Sequence, residues 1–116
     1  MKLEREWMRG AGPLAVLTLL EGKEMYGYEL VEALDRDSGG VLAMGHSTVY
    51  PLLYNLEGRG YVVTKMRTAP TGRRRKYYRI TGEGKEWLKT QRSQWETLVS
   101  GLNRLGLSPG AAGTDG

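Results

Sequence analysis

Apolar positions along this chain follow two periods. From Leu14 to Leu20 they are almost continuous (Leu14, Ala15, Val16, Leu17, Leu19, Leu20), which predicts a mostly buried helix. Pro13 suits its first turn and Gly22 ends it. Leu30, Val31 and Leu34 give one face of a second helix, from about Tyr26 to Leu34, which fades in the loop signal Asp37-Ser38-Gly39-Gly40. Gly27 in its first turn costs up to about 1 kcal/mol relative to alanine, tolerable where a close helix crossing needs it. Val49, Leu52, Leu53 and Leu56 then fall at i, i+3, i+4 and i+7, a third amphipathic helix with Pro51 inside its stripe. Proline is harmless only in a first turn, where its missing N–H has no intrahelical partner. The helix is therefore expected to begin near Ser47 or Thr48, with one of those hydroxyls as N-cap, and to stop around Gly58 or Gly60.

After Gly60 the period becomes two. Tyr61 to Arg67 alternates with Val62, Thr64 and Met66 on one face, and Lys76 to Ile80 alternates with Tyr78 and Ile80 inward. The polar run from Thr68 to Arg75 joins them into a hairpin with a basic tip. Thr81 is then placed to cap a fourth helix of roughly 22 residues, about 33 Å long. In it Leu88, Trp95 and Leu102 recur every seven residues, interleaved with Gln91, Leu98 and Leu105, and Trp87 and Val99 widen the stripe. The closing GLSPGAAGTDG has nothing to bury and reads as a disordered tail. No internal repeat is present.

Three helices followed by a hairpin is the order of a winged helix-turn-helix, in which the third helix enters the DNA major groove and the hairpin, or wing, reaches the backbone or minor groove. The expected fold is mainly α with a small β-hairpin, a winged helix-turn-helix plus a C-terminal dimerisation helix. Its divisions are an N-terminal extension (1–12), the winged domain (13–81), the dimerisation helix (82–105) and the tail (106–116).

Composition narrows the chemistry. A chain of 116 residues makes one domain with a modest core. It has no cysteine, so neither a disulfide framework nor a thiolate metal site is available, which fits a reducing cytosol. MKLEREWMRGAG carries charge where a signal peptide needs an apolar run, and Leu14 to Leu20 is too short to span a bilayer. A soluble cytoplasmic domain with no membrane partner is expected. His46 is the lone histidine and no paired acidic motif accompanies it. Gly82-Glu83-Gly84-Lys85 falls short of a phosphate loop, because Arg79 stands at the required earlier glycine and Glu86 at the Ser/Thr position. No catalysis, metal or cofactor is expected.

Charge distribution adds more than the net value of +4. Between Tyr61 and Ile80 lie seven cations (Lys65, Arg67, Arg73, Arg74, Arg75, Lys76, Arg79) and no carboxylate, which leaves ten cations against all thirteen acids elsewhere. A basic hairpin on a slightly acidic body suits a polyanion. With the third helix's apolar stripe turned inward, Ser47, Pro51, Tyr54 and Asn55 point outward and Tyr50 sits on the flank. That outward face carries almost no charge. Hydroxyls and an amide can bond phosphates or base edges, and rings can touch thymine methyls. Double-stranded DNA is thus the expected partner, with Ser47, Thr48, Tyr50, Pro51, Tyr54, Asn55, Arg73, Arg74, Arg75 and Lys76 as its contacts. The other reading is a winged-helix protein-interaction module docking an acidic partner. A protein-docking version has no need for a basic wing and an uncharged helix face to converge on one side.

The fourth helix carries a stripe too apolar to leave in water. The same helix from a second subunit is its cheapest cover, giving a two-fold homodimer with two recognition helices for an inverted repeat. Leu88, Trp95, Leu98, Val99, Leu102 and Leu105 are the expected interface.

"YGYEL" at 26–30, "STVYPLLYNLEGRGYV" from Ser47 and "RRKYYRITGEGKEWL" at 74–88 together resemble the PadR family of transcriptional regulators, over about Leu14 to Leu105. The single C-terminal helix resembles that family's compact subgroup. The resemblance implies a homodimeric repressor that binds an inverted-repeat operator and releases it when a small molecule binds. Tyr50 and Pro51 match the family's tyrosine-proline pair at the recognition helix, and Tyr78 matches its wing tyrosine. Ser47 departs from the glycine found in many members. For the compact subgroup, resemblance further implies that flat aromatic effectors enter a space between the C-terminal helices, and two readings of Trp95 stand: it stacks on such an effector with its symmetry mate, or it is simply dimer core.

Overall fold

A computed structural model of the chain describes residues 2–107. Its elements run α1 (Arg5–Gly22), β1 (Met25–Tyr26), α2 (Gly27–Asp37), α3 (His46–Gly58), β2 (Val62–Thr68), β3 (Arg74–Ile80) and α4 (Gly82–Arg104). This is the mainly α, winged arrangement expected from the pattern.

The elements differ from their expected bounds where local signals compete. α1 starts at Arg5 rather than at Pro13, which lies inside the helix. Met8 packs against the core and draws the earlier segment into the helix. The carbonyl that Pro13 leaves without a helical donor is that of Arg9, an exposed residue that water can reach. α3 likewise starts earlier than expected. Its N-cap is Gly45, with no side-chain cap, and the N–H groups of Thr48 and Val49 both donate to the Gly45 carbonyl at 3.0 Å. Neither Ser47 nor Thr48 is the cap, and Pro51 stands beyond the first turn. Its ring deprives the Ser47 carbonyl of a donor, and both residues are exposed to water. A proline in a helix interior costs about 3 kcal/mol. Burial offsets that cost: Val49, Leu53 and Leu56 are each fully buried, at roughly 1.5–3 kcal/mol apiece.

The wing is a sheet of three strands in the order β1-β3-β2, antiparallel throughout. β1 is too short to show any period in the sequence; it exists because Met25 and Tyr26 pair with Tyr78 and Tyr77. That pairing sets Tyr26 edge-on to Tyr77, and with Arg67 over its ring Tyr77 is buried on the outer face, as Tyr78 and Ile80 are on the inner one. The core joins Val16, Leu17 and Leu20 of α1, Leu30 and Leu34 of α2, the α3 stripe, Val62, Tyr78, Ile80 and Leu88 of α4.

The start of α4 is tied to the end of α3. Thr81 Oγ1 accepts from the Gly84 N–H at 3.0 Å, capping the helix as its sequence position implies, and donates to the Gly60 carbonyl at 2.7 Å. Tyr61 and Trp87 stack with centroids 5.0 Å apart, and the Arg59 guanidinium lies 5.2 Å and 5.3 Å from the two rings. Trp87 is therefore half-buried in the protomer rather than part of an outer stripe. The molecule measures 59 × 29 × 22 Å, since the far half of α4 runs beyond the body. α4 ends in a turn through Gly106, where the Leu107 N–H donates to the Leu102 carbonyl at 3.0 Å. The rest of the expected tail, 108–116, lies outside the described residues.

Gly84 is required by this junction. A Cβ there would overlap the Tyr61 carbonyl oxygen and come within 2.9 Å of Ile80 Cγ1. Backbone cannot give way as a flexible side chain can, so Gly84→Ala is expected to destabilise the fold by about 1–3 kcal/mol, the usual range for overpacking. Urea unfolding checks this, as a lower midpoint with an unchanged slope.

Candidate nucleic-acid interface

With its stripe buried, α3 presents Ser47, Thr48, Pro51, Tyr54 and Asn55 to solvent, and Tyr54 is 80% exposed. Tyr50 stands at the flank, 44% exposed. The outward face of α3 therefore holds hydroxyls, an amide and rings but no formal charge.

Two aromatic residues that sequence reasoning did not place join this face. His46 stacks on Tyr50 with centroids 5.8 Å apart and a 17° angle between rings, and Tyr28 of α2 lies 5.5 Å from His46. The three rings form a row along the entry of α3. Tyr28 belongs to the "YGYEL" motif, but its neighbour across the α2–α3 turn is set by tertiary packing.

The wing's cations divide by strand register. Pairs Thr64↔Tyr78, Met66↔Lys76 and Thr68↔Arg74 share the face that carries buried Tyr78 and Ile80 toward the helices. On that face Arg74 and Lys76 are exposed and, among the described residues, without a carboxylate partner, and Arg73 precedes them in the turn. Arg67 and Arg75 oppose one another on the outer face and are engaged there. Arg67 is ion-paired with Glu24 at 2.6 Å and lies 4.6 Å from the Tyr77 ring centre. Arg75 is half-buried 4.9 Å from the Tyr26 ring centre, with its Nε buried and unpartnered. Of the expected basic contacts, Arg73, Arg74 and Lys76 are therefore free at the tip, while Arg75 serves to brace β3 against β1. Two hydrogen bonds close that tip: the Ala69 N–H donates to the Arg73 carbonyl at 2.7 Å and the Gly72 N–H to the Ala69 carbonyl at 2.8 Å.

Beneath the interface lies Tyr78. Burial pushes its phenol above the ordinary tyrosine value, and the nearby Glu57 and Tyr50 add to the effect. The phenol stays neutral where α3 meets the wing. Glu57 in turn accepts from Thr64 Oγ1 at 3.5 Å. Among the described residues no three of His, Cys, Asp and Glu gather as metal ligands.

On α4 the expected interface residues separate. Leu88 is 1% exposed and belongs to the protomer's own core, so it is not available to a second chain. Its heptad position is taken by the first turns of α4 crossing α1. Trp95, Leu98 and Leu105 are 54%, 51% and 85% exposed, and Val99 and Leu102 are half-buried. Beside them an apolar groove of about 860 Å³ runs between α1, the end of α2 and α4. Its walls include Trp7, Ala11, Leu14, Leu42 and Trp95, with Glu6, Asp37 and Arg92 at its edge. Trp7, 61% exposed, comes from the part of α1 that lies before Pro13.

A model of the "Transcriptional regulator PadR-like family" matches residues 16–90. Transcriptional regulator Rv3488 of Mycobacterium tuberculosis is 34% identical over 95 residues, 82% of this chain and 85% of that one. A transcriptional regulator of Clostridium thermocellum has a similar structure, with a TM-score of 0.79, 28% identity, and coverage of 90% of this chain and 98% of the other. Bacillus subtilis PadR, described as a negative transcriptional regulator, is 30% identical over 74 residues, 64% of this chain and 41% of its own. Its structure in complex with operator DNA superposes with a TM-score of 0.62 at 28% identity, over 68% of this chain and 45% of that one.

The Tyr78 phenol gives a signed pH dependence. Its folded-state value is raised, so its contribution is full below the ordinary tyrosine pKa of about 10 and is lost as the pH climbs past it. Urea midpoints between pH 8 and 11 are expected to fall less steeply in Tyr78→Phe than in the wild type.

Proposed function

Since the chain belongs to the PadR-like family of transcriptional regulators, we propose that it is a repressor that binds an inverted-repeat operator as a homodimer and is released by a flat aromatic effector. It is a regulator and not an enzyme, in keeping with its relatives. The observation that carries the DNA reading is the pairing of two surfaces. α3 offers an uncharged face of Ser47, Pro51, Tyr54 and Asn55, and the helix-facing side of the wing carries Arg74 and Lys76, with Arg73 in the turn before them. Phosphate contacts from the wing supply affinity and register, and α3 supplies sequence discrimination. The operator complex of Bacillus subtilis PadR supports the same use of the fold.

DNA binding is tested by titrating duplexes at several salt concentrations. Replacing Arg73, Arg74 and Lys76 with alanine is expected to weaken all duplexes and flatten the slope of log K against log salt by up to about 0.9 per lost phosphate contact. Tyr54→Ala is expected to lower affinity for the specific duplex by roughly 1–3 kcal/mol more than for random DNA. An unchanged salt slope in the wing variant overturns the wing's role.

For the dimer, the supporting feature is the exposed run of Trp95, Leu98 and Leu105 beside the apolar groove. The cover proposed for this run is the α4 of a second subunit, and Trp95, which also lines the groove, is the residue proposed to stack on an effector. Leu98→Asp with Leu102→Asp is expected to give monomers in sedimentation. Trp87→Phe leaves Trp7 and Trp95, both on the groove, as fluorescent reporters. Flat aromatic cations are expected to quench them and loosen DNA. A double aspartate variant that remains dimeric, or a ligand series that neither quenches nor releases, removes the corresponding part of the proposal.

A further inference from the structure

Gly27 opens α2 with an ordinary negative φ, so its backbone makes no demand for glycine. Alanine is the better helix former at such a position. What excludes a Cβ is a side chain from another helix. Built onto Gly27, that atom would overlap the Tyr50 hydroxyl and lie 2.5 Å from Cζ and 2.6 Å from Cε1 of the same ring. The hydroxyl end of the Tyr50 ring therefore fills the space that a side chain on α2's first residue would take. His46 stacks on the same ring at 5.8 Å, and His46 is itself backed by Tyr28, the residue after Gly27. Just before Gly27, Met25 and Tyr26 pair with β3 of the wing. One ring from the recognition helix is thus seated where α2, β1 and β3 meet.

From this geometry we propose that Gly27 is a positioning residue, a notch whose missing side chain seats Tyr50 and so fixes the aim of α3 relative to α2 and the wing during sequence reading. Gly27 is buried and does not touch DNA; its effect passes through Tyr50. A methyl group at position 27 pushes the ring off its seat and off His46, so that the entry of α3 is no longer held against the first turn of α2. Phosphate contacts tolerate such a loosening better than base contacts, which depend on hydrogen-bond geometry. The loss therefore falls on discrimination. The inference rests on the DNA-reading proposal above.

The test uses the full chain and two duplexes of equal length, one selected from a random library by the wild-type protein and one of random sequence. Gly27→Ala is expected to lower affinity for the selected duplex at least tenfold, to leave the random duplex within about twofold, and to leave the urea midpoint unchanged or higher. Tyr50→Leu removes the ring, and on that background Gly27→Ala is expected to change selected-duplex affinity by less than twofold. Unchanged affinity in Gly27→Ala overturns the proposal, as does an equal loss on both backgrounds. If Gly27→Ala does not fold, recovery of the fold by Tyr50→Leu supports the notch and failure to recover it overturns it. Failure of DNA reading itself is distinct, because the wild-type protein would then enrich no duplex from the library.

Discussion

Val49, Leu53 and Leu56 hold one side of α3 completely out of water, and the rest of the interface depends on that. A helix has one direction opposite its buried stripe. Once these three residues are pressed onto α1, α2 and the sheet, Ser47, Pro51, Tyr54 and Asn55 have to face solvent. The strength of that anchoring lets α3 carry a proline past its first turn, with an orphan Ser47 carbonyl, and still be one continuous helix. Pro51 lies on the exposed side, where water can satisfy the carbonyl it leaves free.

The wing shows the converse economy. Its strands extend beyond the core, so burial stabilises only their inner ends, at Val62, Tyr78 and Ile80. Farther out, β3 is held on its outer side by Tyr26, Tyr77 and the two engaged guanidiniums of Arg67 and Arg75. Surface ion pairs such as Arg67–Glu24 contribute only about 0–1 kcal/mol each. Together with ring contacts they orient a strand that has no core of its own. This division of labour leaves Arg73, Arg74 and Lys76 unencumbered at the tip.

α4 performs two tasks along its length. Through Leu88 it closes the protomer's core, and near Arg92, paired with Glu21 at 2.6 Å, it leaves the body. Beyond that point Trp95, Leu98 and Leu105 stand exposed among the described residues. Trp7 and Trp95 flank the same groove because α1 continues back through Pro13 to Arg5, which brings a second tryptophan to this side.

The sequence by itself determined the periods: a mostly buried first helix, two amphipathic ones, a change to alternation after Gly60, a capped fourth helix, a basic hairpin and an uncharged helix face. These are local properties, since side-chain spacing and capping chemistry act within a few residues of the backbone. It also marked the outward residues of α3, because a wheel follows from the stripe alone. Tertiary structure decided what depends on contacts between distant segments. β1 is a strand only because β3 lies beside it. Leu88 and Trp95 are equivalent in heptad phase, and only the crossing with α1 buries one and leaves the other in solvent. The wing cations look alike in sequence, and only the register with β1 and the contacts of Arg67 and Arg75 set these two apart from Arg74 and Lys76 on the opposite face. Gly27 reads in the sequence as a cost that a close helix crossing would explain, and only the tertiary structure shows that its neighbour is the Tyr50 ring.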